Sequence, residues 1–376
     1  MFKINTLIFS AFSFIVSSIF SMTFAVIDPA TVLTAGDGAT DDQFGWSVAM
    51  DGNTAVVGAY LDDEGDQDSG SVYIYENDGA GNWAFKQKLT AQRYEPDDTN
   101  LPADADTNPD LVVDYQRDAW FGYSVAIHGD LLVVGTPFFD KDGGEDDEAK
   151  DLLDSGAVYI YKKSGGVWGL NTRFTIEDDG AKNGDWFGNS VAVYDDTVAV
   201  GTLLQSAGGS GGVHILHRDT DGKWNQQFAQ TANAALALEE QKTLLPLNAQ
   251  KEDWFGRSVA INKRTIVVGS DGSDGDLSSS GSAYVFTRDA NHNWNLQAKL
   301  QPSDKKLFSN FGISVSIDSN TLIVGADGAD GSATDDSKGA AYIFSRDFDG
   351  RGREVKKATA SDGAAGDKFG RSVVIK

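Results

Sequence analysis

One short motif constrains the fold of this chain more than any other feature. The pattern Phe-Gly-x-Ser-Val occurs six times, and successive copies are separated by 77, 66, 68, 56 and 58 residues. Self-similarity of this kind indicates a repeat architecture, in which each repeat is one supersecondary unit and neighbouring units share a core. The six copies begin with Phe44-Gly45, Phe121-Gly122, Phe187-Gly188, Phe255-Gly256, Phe311-Gly312 and Phe369-Gly370.

Three further apolar runs follow most copies of the motif. In the first unit they are 54–59, which ends in Val56-Val57-Gly58, then Val72–Tyr75, and then a run that opens at Trp83. The runs are short, rich in Val, Ile and aromatic residues, and bounded by Gly, Asp or Asn, which is the pattern of β-strands. Four antiparallel strands per unit, repeated along the chain, are typical of propeller blades. The sequence therefore predicts an all-β propeller with five complete four-stranded blades and a partial sixth.

The motif also resembles a known repeat. Phe-Gly-x-Ser-Val followed by Val-Val-Gly-Thr-Pro, as at 133–137, resembles the FG-GAP repeat of integrin α-chain propellers, and the bacterial variety of that repeat is the nearer match. The resemblance spans residues 26–376, with repeats starting near 41, 118, 184, 252, 308 and 366 and an acidic insert at 94–116. It implies a propeller that binds a partner across one face.

Integrin-type blades often carry a calcium loop between their first and second strands. Here the corresponding connections, such as Asp51-Gly52-Asn53 and Ser319-Asn320, are too short to surround a calcium ion with six or more oxygen ligands. The calcium sites of the resemblance are therefore not expected at these turns.

Residues 1–25 have the layout of a secretory signal peptide. Lys3 precedes an apolar and serine-rich stretch from Leu7 to Phe20, and Thr23-Phe24-Ala25 suits cleavage after Ala25. The alternative is an uncleaved membrane anchor. With the signal removed, we expect a secreted, periplasmic or cell-surface protein with no transmembrane segment. The absence of cysteine excludes disulfides and thiolate metal sites, and a net charge of −25 opposes binding to nucleic acid.

Acidic loops are the candidate metal sites, because carboxylates at alternating positions can supply oxygen ligands to calcium. No other cofactor is predicted, and the alternative is that these loops and the insert are only solvated charge. The candidate ligands are Asp62, Asp66 and Asp68 in the first loop, Asp140 and Asp142 in the second, and Asp104, Asp106 and Asn108 in the insert.

Aromatic residues flank the Phe-Gly pairs and are the candidate partner-binding residues. Three tryptophans precede the pair, and two aromatic residues follow its glycine. One interpretation is packing between blades, and the other is an aromatic rim that grips a peptide or a sugar ring. The residues are Trp46, Trp120, Tyr123, Trp186 and Trp254.

No enzyme signature has the context it needs. Gly208-Gly209-Ser210-Gly211-Gly212 fits the nucleophile-elbow pattern, but a strand follows it where that motif requires a helix. His214 and His217 are three residues apart on a strand and point to opposite faces. We therefore expect a non-catalytic binding or adhesion module for a protein or glycan partner, modulated by calcium. The alternatives are a propeller belonging to a larger secreted hydrolase and a structural repeat array of a surface protein.

The sixth unit is expected to be incomplete. Its first strand would end at Lys376, and Thr31–Ala35 matches a fourth strand, as comparison with Lys357–Ala360 indicates. A blade with only its first and fourth strands would leave unpaired edges, which natural sheets avoid. The expectation is a fragment of a six- or seven-bladed propeller.

Overall fold

The computed structural model describes residues 31–94, 111–113, 117–140, 154–175, 184–204, 209–227, 243–244, 250, 252–273, 280–329, 337–346 and 352–376. Within these residues all regular secondary structure is β-strand and turn, so none of them forms a helix long enough to cross a membrane. The signal-peptide and insert predictions fall outside the described residues, apart from a short two-stranded ribbon at the ends of the insert, formed by β5 (Gln92–Tyr94) and β6 (Leu111–Val113).

Five antiparallel sheets, each with strands in sequence order, form the blades. Blade one contains β1 (Ser47–Asp51), β2 (Thr54–Ala59), β3 (Ser71–Asn77) and β4 (Trp83–Leu89). Blade two contains β7 (Ser124–His128), β8 (Leu131–Thr136), β9 (Ala157–Ser164) and β10 (Val167–Thr175). Blade three contains β11 (Ser190–Tyr194), β12 (Thr197–Thr202), β13 (Gly212–Arg218) and β14 (Trp224–Gln227), and β15 (Thr243–Leu244) also pairs with β13. Blade four contains β16 (Phe255–Asn262), β17 (Thr265–Ser270), β18 (Ser282–Arg288) and β19 (Trp294–Leu300). Blade five contains β20 (Phe311–Asp318), β21 (Thr321–Ala326), β22 (Ala340–Arg346) and β23 (Gly352–Ala358).

The first strands of adjacent blades contact one another, so they lie at the centre of the propeller and the fourth strands form its outer edge. The second strands are the most deeply buried: every residue of β8, β12 and β17 is buried. They are covered on both faces by neighbouring blades, which explains why their sequences are continuously apolar and do not alternate. The all-β propeller with five four-stranded blades is confirmed.

Four hydrophobic clusters fill the spaces between successive blades. The cluster between blades one and two, for example, packs Val56, Val72 and Ile74 of blade one against Phe121 and Tyr159 of blade two. Equivalent clusters join blades two and three, three and four, and four and five. Each blade is therefore stabilised mainly by its neighbours, as expected for stacked repeats.

The same two hydrogen bonds recur at every contact between blades, and we call them the interblade hydrogen bonds. The hydroxyl of the motif serine donates to the carbonyl of the next motif glycine, as Ser47 Oγ does to Gly122 O at 2.7 Å. A glycine stands just before each third strand, and the amide of the next motif phenylalanine donates to the carbonyl of the residue before that glycine. Phe121 N, for example, donates to Ser69 O at 2.9 Å. The motif thus attaches each blade to the preceding one through hydrogen bonds.

The sixth copy of the motif docks in the same way. Phe369 N donates to Lys338 O at 2.9 Å, and Ser314 Oγ donates to Gly370 O at 2.8 Å. Residues 371–376 continue from it without forming a strand. At the other end, Tyr75 Oη donates to Thr34 O at 2.9 Å, just as Tyr161 Oη of blade two donates to Thr90 O. Thr34 therefore lies where the end of a preceding blade's fourth strand would lie.

Candidate functional site

The candidate site lies on one face of the propeller. The motif stands at the start of the first strand, and because the second strand is antiparallel, its end lies beside that start. The residues flanking each Phe-Gly pair, the residues after each second strand and the loops that lead to the third strands therefore share one face. We call it the FG face.

The residue before each motif phenylalanine has an unusual backbone. Its φ is positive in all six copies, including 62° at Trp120, 56° at Trp186 and 50° at Trp254. This left-handed region suits Gly or Asn and is unfavourable for a bulky residue. Asn310 follows that preference in blade five, whereas three other copies place tryptophan there. These indole side chains are held on the FG face at a cost in backbone strain, and such strain clusters at functional positions.

Four of the five predicted aromatic residues come together in one continuous structure, which we call the aromatic arc. Trp46 and Trp120 both contact Tyr60, with ring centroids 5.0 and 4.9 Å away. Tyr123 lies 5.6 Å from Trp46 and stacks on Trp120 at 5.8 Å. The arc continues across blades two and three through Phe138, which is 4.1 Å from Trp120 and 5.1 Å from Trp186.

Tyr60 and Phe138 were missed by the sequence reasoning. They come just after β2 and β8, at Gly58-Ala59-Tyr60 and Gly135-Thr136-Pro137-Phe138. The sequence does contain a signal for them: each is an aromatic residue two or three positions after the glycine of a second strand. That part of the chain lies beside the motif of the next blade.

The aromatic arc is consistent both with packing between blades and with binding of a partner. Its rings pack against each other across three blades, which stabilises the blade contacts. Trp46 nevertheless remains 49% exposed. Trp254, the fifth predicted residue, stands outside the ring contacts of the arc, lies against Gly272 and is 40% exposed. The FG face thus presents exposed indoles at two separate points.

In blades four and five the same face carries charge where blade one carries an aromatic ring. Asp271 and Asp327 occupy the place of Tyr60, two residues after the glycine of the second strand. Asp327 accepts hydrogen bonds from Asn310 Nδ2 and from an Arg371 guanidinium nitrogen, both at 2.9 Å. Asp271 is only 4% exposed, yet its ion pair with Arg257 Nε spans 3.8 Å, and among the described residues its Oδ1 has no hydrogen-bond partner.

Carboxylates also border the aromatic arc. Burial, followed by the nearby side chains of Tyr123 and Asp68, raises the pKa of Tyr60. Burial, followed by the carboxylates of Asp118 and Asp63, raises the pKa of Asp68. Asp68 and Asp118 thus place carboxylates at one edge of the arc, where Arg117 Nε lies 3.5 Å from Asp118 Oδ2.

The first candidate metal loop already contains an internal cation. Lys88 Nζ lies 3.2 Å from Asp62 Oδ1, 2.8 Å from Asp37 Oδ2 and 2.7 Å from Glu64 Oε2. Tyr73 Oη donates to Asp62 Oδ2 at 2.6 Å. Burial alone would lower the pKa of Lys88, but its hydrogen bonds to Asp37 and Glu64 raise that pKa above its ordinary value. The ammonium group of Lys88 is thus the cation that pairs with the Asp62 carboxylate in this structure.

The other candidate ligands that the structure describes, Asp66, Asp68 and Asp140, do not converge on a common point. Asp66 Oδ1 accepts the amide of Gln67 at 2.8 Å, and Asp68 Oδ2 accepts from the Gln67 side chain. Asp140 Oδ1 accepts the amide of Asp154 at 2.8 Å. Within the described ranges no group of three or more His, Asp or Glu side chains is arranged to hold a metal ion. The remaining candidates, Asp142, Asp104, Asp106 and Asn108, lie outside the described residues.

We expect Lys88→Met to destabilise the protein by about 2–3 kcal/mol, because it leaves the buried Asp62 carboxylate without its cation. Urea unfolding at neutral pH measures this loss. Lys299→Met is the matched control: Lys299 lies over Tyr284 at 5.3 Å, much as Lys88 lies over Tyr73 at 5.0 Å, but has no ion pair within the described part of the chain. Equal effects at the two positions would show that the carboxylates contribute nothing.

Comparisons with known proteins address the chain as a whole. A family model described as FG-GAP repeat matches residues 30–75, 113–161, 168–216, 238–286, 294–344 and 353–376. No curated protein matched the chain.

Solved structures with a similar chain path include one assigned provisionally as a 6-phosphogluconolactonase of Bacteroides fragilis NCTC 9343. The two share 8% identity over 84% of this chain and 71% of the other, with a TM-score of 0.48. A protein from Lactobacillus plantarum shares 14% identity over 85% of this chain and 72% of its own, with a TM-score of 0.45. Likenesses this distant carry no argument.

Proposed function

Because this chain belongs to the FG-GAP repeat family, whose repeats build propeller domains that often serve in binding, we propose that it is a non-catalytic binding module that holds a protein partner on its FG face. The observation that carries the proposal is the aromatic arc together with its strained tryptophans. Packing alone would not require indoles at left-handed positions, since Asn310 fills the same position in blade five.

The composition of the face suits a protein interface. Tryptophan and tyrosine are enriched among the residues that contribute most to binding, because they bury large rigid surfaces. The arc offers such a surface across three blades, while the carboxylates beside it and the charged pairs of blades four and five form a polar rim. The net charge of −25 favours a partner with a basic rim over an acidic or neutral glycan.

The proposal also covers where the protein is located and how calcium modulates its binding. The predicted signal peptide supports a secreted, periplasmic or cell-surface module, which is where adhesion requires it. Calcium is proposed as a modulator through the second acidic loop, which includes Asp140 and Asp142, since in the first loop Asp62 already has a cationic partner in Lys88.

The test compares residues 26–376 with the variants Trp46→Ala and Trp254→Ala on peptide and glycan arrays, with and without millimolar calcium. Both indoles are substantially exposed, so truncation should leave the fold intact. We expect at least one basic peptide to bind the parent chain and to lose about tenfold or more in affinity with Trp46→Ala, since interface tryptophans are frequent hot spots.

The control variant is Val167→Ser, at an exposed residue on the outer strand of blade two, which should bind like the parent. Binding should also weaken as salt increases, because the rim contribution is electrostatic. Glycan binding without peptide binding would reject the protein partner. Peptide binding that is unchanged in both tryptophan variants would reject the FG face.

A further inference from the structure

The end of the propeller opposite the FG face carries the turns that join the first strand to the second and the third strand to the fourth in each blade. We call it the turn face. Near the end of each third strand, one amide donates to the carbonyl of the residue that precedes the second strand. Arg218 N donates to Asp196 O in this way, and Arg288 N donates to Arg264 O, both at 2.9 Å. Because this hydrogen bond recurs in all five blades, equivalent positions on the turn face can be compared directly.

The donor of this hydrogen bond is a basic residue in blades two to five, and in blades two and three its side chain pairs with a carboxylate. Lys163 Nζ of blade two lies 2.5 Å from Glu76 Oε1 of blade one. In blade three, an Arg218 guanidinium nitrogen lies 2.6 Å from Asp196 Oδ1 of the same blade. The acid thus comes either from the preceding blade or from the blade's own first turn.

In blade four both of these acidic positions hold other residues. Arg264 stands in the place of Asp196, and His217 of blade three stands in the place of Glu76, one position before the basic residue of its blade. Among the described residues, neither Arg264 nor Arg288 forms an ion pair, and Arg288 Nε is buried without a hydrogen-bond partner. A buried donor without a partner is rare in folded proteins and points to a group that binds there.

The acid that follows Arg288 in the sequence is used by its own turn. Asp289 Oδ1 accepts the amides of Asn291 at 2.8 Å and Asn293 at 2.9 Å, and its Oδ2 accepts from Asn295 Nδ2 at 3.2 Å. Its carbonyl oxygen, and not its carboxylate, accepts from the Arg264 guanidinium. Asp289 therefore does not supply the carboxylate that blades two and three provide.

Two imidazole groups complete this corner of the turn face, which we call the arginine corner. His292 Nδ1 lies 2.7 Å from an Arg288 guanidinium nitrogen and accepts its hydrogen, so the His292 ring carries its proton on Nε2. His217 Nδ1 donates to Asp196 O at 2.9 Å. Burial, followed by the charge of Arg288, lowers the pKa of His217, and burial, followed by the charge of Arg264, lowers the pKa of Arg288.

A ligand can reach the arginine corner from solvent. Arg264 and His292 are exposed, whereas Arg288 and His217 are half-buried and lie deeper between blades three and four. All the turns that surround the corner belong to the described part of the chain, at 195–196, 219–223, 263–264 and 289–293. The missing acid is therefore not supplied by these turns.

We infer that the arginine corner binds a carboxylate group of a ligand, which takes the place that Glu76 and Asp196 fill in the earlier blades. Arg288 and Arg264 would donate to the two carboxylate oxygens, since the planar guanidinium matches the geometry of that group. Protonated His217 would donate through Nε2, because its Nδ1 is already used. This site lies at the opposite end of the propeller from the FG face, and it selects an anion, whereas the FG face is proposed to prefer a basic partner.

The experiment titrates residues 26–376 with glucuronate, N-acetylglutamate and inorganic phosphate at constant ionic strength and follows the histidine ring protons by NMR. The chain has four histidines, so few signals need assignment. We expect a carboxylate to shift the His217 and His292 signals saturably and to raise the pKa of His217, because the bound negative charge favours its protonated form. The first two probes separate an acidic sugar from an acidic side chain as the source of the carboxylate.

Two variants test the role of the arginines. Arg288→Gln should weaken carboxylate binding about tenfold or more, because the central guanidinium is lost. Arg264→Asp should also abolish binding, because the introduced carboxylate would pair with Arg288 as Asp196 pairs with Arg218, and it should raise the melting temperature of the free protein. Arg264 is exposed, so this variant is expected to fold even if Arg288→Gln does not.

Lys162→Gln is the matched control, because it removes the same charge from the exposed position that is equivalent to His217 in blade two. It should bind like the parent, and so should Trp254→Ala, which separates this result from partner binding on the FG face. Equal weakening by Lys162→Gln and Arg288→Gln would show a general charge effect and would overturn the inference. So would the absence of saturable shifts at His217 and His292, or tighter binding of phosphate than of either carboxylate.

Discussion

Replacing Gly269 by alanine is expected to lower the free energy of unfolding by about 3 kcal/mol or more, because the added methyl group overpacks the contact between blades four and five. Its Cβ would lie 1.9 Å from the carbonyl oxygen of Gly312 and 2.4 Å from Ser258 Oγ. Neither neighbour can yield cheaply, because Ser258 Oγ donates to that same carbonyl at 2.9 Å. Urea unfolding followed by circular dichroism measures the effect.

Gly36→Ala is the control for the Gly269 substitution, because a Cβ on Gly36 meets nothing within 4 Å. Its effect should stay within about 0.5 kcal/mol. The backbone of Gly269 is not in the left-handed region, so any loss of stability there reports the close approach of the blades and not a strained dihedral. A loss below about 1 kcal/mol at Gly269 would mean that the blades separate easily, contrary to the docking described above.

Replacing Asp271 by asparagine is expected to stabilise the protein by about 2 kcal/mol near neutral pH. Burial raises the pKa of Asp271 to about 6, and the attraction of Arg257 offsets this only in part. Protonation of this carboxyl is therefore favoured by folding. Its contribution to stability is complete below the unfolded pKa of about 4 and is lost as the pH rises through about 6.

The difference between Asp271→Asn and the parent should therefore be small near pH 4 and largest above pH 7, when urea unfolding is compared across that range. Asp327→Asn is the matched control at the equivalent position of blade five. Its carboxylate accepts hydrogen bonds from Asn310 and Arg371, so that variant should be destabilised at neutral pH. A stabilisation by Asp271→Asn that does not change with pH would refute the proposed role of its ionisation.

The fold was predictable because the same residue types recur at equivalent positions in every repeat. The glycine that ends each second strand, the motif glycine and the alternation of the fourth strands each correspond to one geometric requirement of a blade. Gly58 and Gly122 illustrate this, since their backbones approach too closely for any side chain. Where the fold permits only one residue type at a position, as at these glycines, that position can be recognised from the sequence alone.

The candidate site was less predictable because it depends on which blades become neighbours. Trp46, Trp120 and Trp186 were identified from their place beside the motif. Tyr60, which joins Trp46 to Trp120, and Phe138, which joins Trp120 to Trp186, belong to loops whose direction is set by the propeller. Lys88 illustrates the same limit: it is 26 residues from Asp62, and only the pairing of β3 with β4 brings its ammonium group to that carboxylate. Sequence spacing therefore did not reveal that the fold pairs Asp62 with Lys88.

The repeated interblade hydrogen bonds have a consequence for how stability is distributed. Because each blade contacts only its neighbours, the free energy of the whole behaves as a sum of blade terms and nearest-neighbour coupling terms. Blade three has two coupled neighbours, whereas blade one has such a contact on one side within the described structure. Thermal fluctuations should therefore open blade one before blade three.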